Sequence, residues 1–106
     1  MESFVWMSYD LGVTGDYEGL YAWLDEHEAK ECGSDVAHFL FPHTGDVFES
    51  LKAEIKDSVS LDKRSRIYAV CINDDKTKGR FIIGRRKSAP WAGFGMREAD
   101  DDDPYF

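Results

Sequence analysis

No apolar run in this chain approaches the roughly 20 residues that a membrane-spanning helix needs. No basic stretch leads into an apolar one near its start, so no signal peptide is expected, and a cytoplasmic protein is the expectation. Cysteine is scarce. Cys32 and Cys71 are the only two, and without an export signal they are expected to be free thiols rather than a disulfide. No glycine-rich turn links a strand to a helix, which excludes Walker and Rossmann phosphate loops; Gly84 and Gly93-Phe94-Gly95 do not form one. Cys32, His38 and His43 match no tetrahedral zinc spacing. No Ser-His-Asp or Cys-His spacing selects a nucleophile. No internal repeat is present.

Bases are also few in the first half. Residues 1–59 carry 13 acids and three bases, a net of −10, whereas residues 60–95 carry nine bases and three acids, a net of +6. Residues 96–106 are net −4, and the whole 106-residue chain is net −8. Overall acidity argues against broad nonspecific nucleic-acid binding, but a local basic surface built from the second half is compatible with it. The length suits one domain, expected over residues 1–95. The Asp100–Asp103 block makes 96–106 an acidic tail that is expected to be flexible.

What is present is a set of short apolar segments with clear stops. Phe4-Val5-Trp6-Met7-Ser8-Tyr9-Asp10 is rich in aromatic and β-branched residues and ends at Leu11-Gly12, which reads as a central strand. Val5, Met7 and Tyr9 face one way; Phe4, Trp6, Ser8 and Asp10 face the other. Asp16 is a plausible N-cap, and Tyr17, Leu20, Tyr21 and Leu24 recur at helical spacing, so a helix is expected over 16–29, with Trp23 off the main stripe at the sheet edge. Lys30–Cys32 and Val36–Phe41 read as a hairpin whose first arm is weak and at an edge, and Pro42 ends it. Asp46 and Glu49 resemble a capping box, and Phe48, Leu51, Ile55 and Val59 define a second helix over 46–58. Arg66–Ile72 is a strand with two apolar faces. Asn73–Gly79 is a polar loop by turn chemistry, and Arg80–Arg85 is the last strand. Pro90–Gly95 is irregular, with Trp91 and Phe94 expected to dock on the body.

The order is β-α-β-β-α-β with an extra C-terminal strand. It predicts an α+β, ferredoxin-like fold with two helices on one face of an antiparallel sheet. Two helices cover one face only, so the other requires a second protomer or the C-terminal segment, and a homodimer with C2 symmetry is expected.

Tyr9-Asp10 closing a first strand, the Asp16-Tyr17-Glu18-Gly19-Leu20-Tyr21 helix start, the apolar hairpin, the second amphipathic helix and Asp62-Lys63-Arg64-Ser65-Arg66-Ile67-Tyr68 form a recognisable layout over residues 3–86. It resembles the small CRISPR-associated integration-complex subunit family, and is similar to the virulence-associated protein D ribonucleases. The resemblance implies a ferredoxin-like homodimer, nucleic-acid-associated or part of a defence system. Some such proteins are metal-dependent nucleases that use the aspartate ending the first strand of each protomer; others are structural. The matching residue here is Asp10, as catalytic group and Mg²⁺ ligand, and no other cofactor is implied. The chain departs from the pattern after that aspartate, because residues 11–29 contain no Lys or Arg.

Asp10 before Leu11-Gly12 is equally ordinary turn chemistry. Ser8 and Tyr9 point to opposite faces, so at most one joins it, and Tyr9 is expected in the core. Lys63, Arg64, Arg66, Arg80, Arg85, Arg86 and Lys87 form the basic set for phosphate contacts. The same cations suit pairing with the acidic first half or tail. The alternative function is a non-enzymatic interaction module whose acidic tail binds a basic protein partner.

Overall fold

The computed structural model of the chain describes residues 1–73 and 75–95. The elements are β1 (Glu2–Asp10), α1 (Tyr17–Glu26), β2 (Lys30–Glu31), β3 (Val36–Pro42), α2 (Val47–Ser58), β4 (Arg66–Asn73) and β5 (Lys76–Ile83). The strands form one sheet in the order β2-β3-β1-β4-β5, and every neighbouring pair is antiparallel. The architecture is α+β, with β1 in the middle of five strands. Among the described residues no helix is long and apolar enough to cross a membrane.

Strand alternation sets the layers. Val5, Met7, Phe39, Phe41, Ile67, Ala69 and Cys71 are buried under α1 and α2. The alternate residues face away: Leu40 is 55% exposed, Ile72 44% and Trp6 36%. The open face is therefore apolar around Trp6, Leu40 and Ile72, and no helix among the described residues covers it, as two helices on one side dictate. On it Phe4 lies 4.4 Å from Trp6 and stacks on His38 at 5.2 Å, centroid to centroid.

Asp16 starts α1. One carboxylate oxygen accepts the Gly19 N–H at 2.9 Å, and the other accepts the Ser60 N–H at 2.9 Å, so the cap also ties α1 to the chain leaving α2. A Cβ at Gly19 would run into that carboxylate. The helix stops at Glu26, earlier than the expected 29, because Glu28 turns left-handed at φ +54° after the His27 cap. Its buried stripe is also rotated from the expected one. Trp23 is not at the sheet edge but 2% exposed, edge-on to Phe39 at 5.2 Å, whereas Tyr21 is 51% exposed. The indole N–H of Trp23 donates to Glu54 of α2, which also pairs with His27 at 2.7 Å.

Asp46 caps α2 by accepting the Glu49 N–H at 3.0 Å. Leu51 and Ile55 are fully buried, and truncating either to Ala costs about 2–5 kcal/mol.

The β4–β5 hairpin differs most from expectation. Lys76–Gly79 is strand rather than loop, paired from Asn73↔Lys76 onward. Asp75, at φ +63°, takes up the turn, and the exposed edge of β4 supplies backbone partners that override the polar composition. Charged residues are at home on such an outer strand. The strand ends at Ile83 rather than Arg85, where Gly84 adopts φ +72°. Trp91 is 73% exposed, so it is not buried against the body as expected, and Phe94 is half-exposed at 52%. The acidic segment 96–106 lies outside the described residues.

Candidate nucleic-acid interface

The β1–β4 ladder places Asp10 opposite Arg66 on the open side of the sheet. Arg66 Nη2 comes 3.6 Å from Asp10 Oδ2, and Asp10 Oδ1 accepts the Gly12 N–H at 3.1 Å. The Asp10 side chain is 57% exposed, so this ion pair contributes only about 0–1 kcal/mol. Arg66 is otherwise under-satisfied: its Nε is buried with no hydrogen-bond partner among the described residues. A buried donor left unpaired is costly, and an anion is the natural acceptor for a guanidinium.

Two residues along β4, Tyr68 points to the same face. A register shift between Ile67 and Tyr68 sets Tyr68 opposite Phe81 of β5, and the rings meet edge to face at 4.9 Å. Gly79 makes room for this. A side chain there would strike the Tyr68 ring. Beyond Gly84 the chain returns over β5, and the Arg86 guanidinium sits 5.8 Å from the Phe81 centroid. Segment 86–91 then walls a cleft of about 620 Å³, with Arg66, Tyr68 and Phe81 on one side and Arg86, Lys87 and Trp91 on the other. An adjoining hollow of about 230 Å³ shares Arg66, Tyr68 and Phe81 and reaches Ser8 and Asp10.

The basic set is thus split. Arg66, Arg86 and Lys87 converge on the cleft. Arg80 is elsewhere, over the Phe48 ring of α2 at 5.0 Å, because it sits inside β5 instead of at its start. Lys63 and Arg64 are exposed in the turn before β4, where the Arg64 N–H donates to Asp62 at 2.8 Å. Arg85 is exposed beside Gly84 and does not line the cleft. The sequence reading missed Tyr68, Gly79, Phe81 and Trp91 as site residues. The alternation that puts Tyr68 on the apolar face was visible; the pairing with Phe81 was not, because it depends on the bulge.

Among the described residues no three His, Cys, Asp or Glu side chains gather as a metal site requires. Within one chain the donor set at Asp10 is a single carboxylate with a guanidinium facing it, and the expected Mg²⁺ site draws its second carboxylate from the Asp10 of a second protomer. Tyr9 lies on the helix side against Tyr21, and burial first, then the neighbouring Tyr21 and Asp35, hold its phenol above the usual value, so it stays neutral. Burial likewise raises the Cys71 thiol, while Cys32 is exposed, and both are free. His43 is no ligand either. It is buried between Ser3 Oγ at 2.8 Å and the Gly45 carbonyl at 3.0 Å, pinning the start of β1 to the end of β3.

Comparison of the chain with protein-family models, curated proteins and solved structures returned no match.

Proposed function

We propose that this chain is a ferredoxin-like protein that associates with nucleic acid as a homodimer and meets phosphates at the cleft around Arg66. One observation carries the reading: three cations, Arg66, Arg86 and Lys87, converge beside three aromatic rings in a chain of net charge −8. The strand order β2-β3-β1-β4 supports the ferredoxin-like assignment, with α1 between β1 and β2, α2 between β3 and β4, and β5 as the extra strand. The layout shared with the small CRISPR-associated and virulence-associated D proteins supports a place in a defence system.

The dimer reading rests on charge as well as apolarity. Phe4, Trp6, His38, Leu40, Val70 and Ile72 form an open-face patch whose own side chains include no Asp, Glu, Lys or Arg, with Glu2 and Lys30 at its rim. Two copies of an acidic chain repel over most of their surface, so an uncharged patch is where they can approach. The patch lies toward the Glu2 end of β1, whereas the cleft lies toward Asp10, so a partner on the patch leaves the cleft open.

The arrangement favours binding over catalysis. Asp10 faces a guanidinium, and no reaction step is assigned to it.

The test is fluorescence anisotropy of labelled DNA and RNA oligonucleotides at about 50 mM salt, where phosphate contacts are strongest. Binding is expected, and Arg66→Ala with Arg86→Ala should weaken it at least tenfold. No binding by the wild type to either polymer would overturn the proposal and favour the protein-interaction module.

A further inference from the structure

Resting on that nucleic-acid reading, we infer that the cleft takes an unpaired base with its flanking phosphate, so that the protein selects single strands over duplex. The cleft is concave, and at about 620 Å³ it falls within the roughly 300–1,000 Å³ range of pockets that enclose small organic groups. Its walls present ring faces and edges: Tyr68 and Phe81 on the sheet, Trp91 on the returning segment at 73% exposure. Rings placed this way stack on bases whose faces are free.

A duplex offers no such face. Its bases are already stacked, and proteins read them by pushing a helix or ribbon into a groove. Nothing in the cleft can do that. Arg66 opens a strand, Arg86 and Lys87 lie in the segment after β5, and all three surround a hollow rather than crown a protrusion. The Arg66 guanidinium lining the cleft and the Arg86 guanidinium over Phe81 put cations beside the rings, as a stacked base with its own phosphate requires.

The experiment titrates wild type, Trp91→Ala and Arg86→Ala against short labelled single-stranded DNA, single-stranded RNA and the matching duplex, over a range of salt. Trp91 is largely exposed, so its truncation leaves the core intact. Single strands of one or both sugars should bind at least tenfold more tightly than duplex. Three cations predict a log–log salt slope of about −2, at roughly −0.7 per phosphate on a single strand. Trp91→Ala should lose about tenfold in affinity with its slope unchanged, and Arg86→Ala should flatten the slope by about 0.7. Duplex binding as tight as single-strand binding, or an unchanged affinity for Trp91→Ala, would overturn this inference while leaving the nucleic-acid reading standing. Failure of all three polymers to bind would overturn both.

Discussion

Asp10 and Arg66 are partners across the β1–β4 ladder, and the Arg66 guanidinium stops 3.6 Å from the Asp10 carboxylate while its own Nε has no acceptor among the described residues. The pair is too exposed to be a strong structural element. On the nucleic-acid proposal, the carboxylate would compete with phosphate for the cation that faces the cleft. Asp10→Ala should therefore change stability by less than about 1 kcal/mol and tighten nucleic-acid binding, whereas Arg66→Ala should weaken it. Urea unfolding and anisotropy on the same preparations check both. If Asp10 instead served a metal-dependent nuclease, the alanine variant would lose a Mg²⁺- or Mn²⁺-stimulated cleavage that the wild type shows.

The acid limb of stability should run through Asp16. Two backbone N–H groups, from Ser60 first and Gly19 second, bind its ionised form and hold its carboxyl below the ordinary aspartate value. A depressed folded-state value adds stability above the unfolded value of about 3.9, and that contribution is lost as pH falls through the lower folded value. Asp16→Asn can offer one oxygen to two donors, so it should lower the urea midpoint at neutral pH. The gap from wild type should then narrow as pH drops below about 4. A gap that stays constant down to low pH would show that the charge is irrelevant to the cap.

Much of this fold was legible. Asp16 and Asp46 announce their helices by chemistry that is local in sequence, and strict alternation in β1 marks which residues are covered. What was not legible depends on contacts between distant segments. Trp23 is inside because Glu54, on the other helix, receives its indole N–H. Lys76–Gly79 is strand because β4 supplies the hydrogen bonds, although its letters spell a turn. The same misreading hid the site. Arg80 belongs to the basic set when it starts a strand but lies over Phe48 once it sits inside β5, and Tyr68–Phe81 pairing requires a bulge that no residue type declares. Of the basic set, Arg66, Arg86 and Lys87 line one cleft, while Lys63, Arg64, Arg80 and Arg85 do not join them.

Gly79 is the most economical probe of that site. A methyl there has nowhere to go but into the Tyr68 ring, which would swing off β5 and away from Phe81. Gly79→Ala should weaken single-strand binding several-fold with little loss of fold, because the residue is exposed on an outer strand. Circular dichroism melting and anisotropy together check this. Unchanged affinity would mean that the Tyr68–Phe81 contact is not used.

The open face makes an independent prediction about assembly. Trp6→Glu or Leu40→Glu places a charge among Phe4, His38 and Val70, where a two-fold partner would have to bury it. Sedimentation at micromolar concentration should show a dimer for the wild type and a monomer for either variant. A wild type that sediments as a monomer would remove the homodimer from the proposal.

The last prediction concerns the acidic end of the chain. Residues 98–106 contain five acids, Glu98 and Asp100–Asp103, and none of the 13 bases. The cleft cations are few, and on the nucleic-acid proposal a covalently attached block of carboxylates would compete with phosphate for them at a high effective concentration. Removing 98–106 changes the net charge from −8 to −3 without touching any residue of the cleft. The truncated protein should therefore bind single-stranded oligonucleotides more tightly than the full chain at about 50 mM salt. The advantage should shrink as added salt screens both interactions. Equal affinities at low salt would show that the tail does not compete. The acidic segment would then be free to serve a basic protein partner, which pull-down with and without residues 98–106 would reveal.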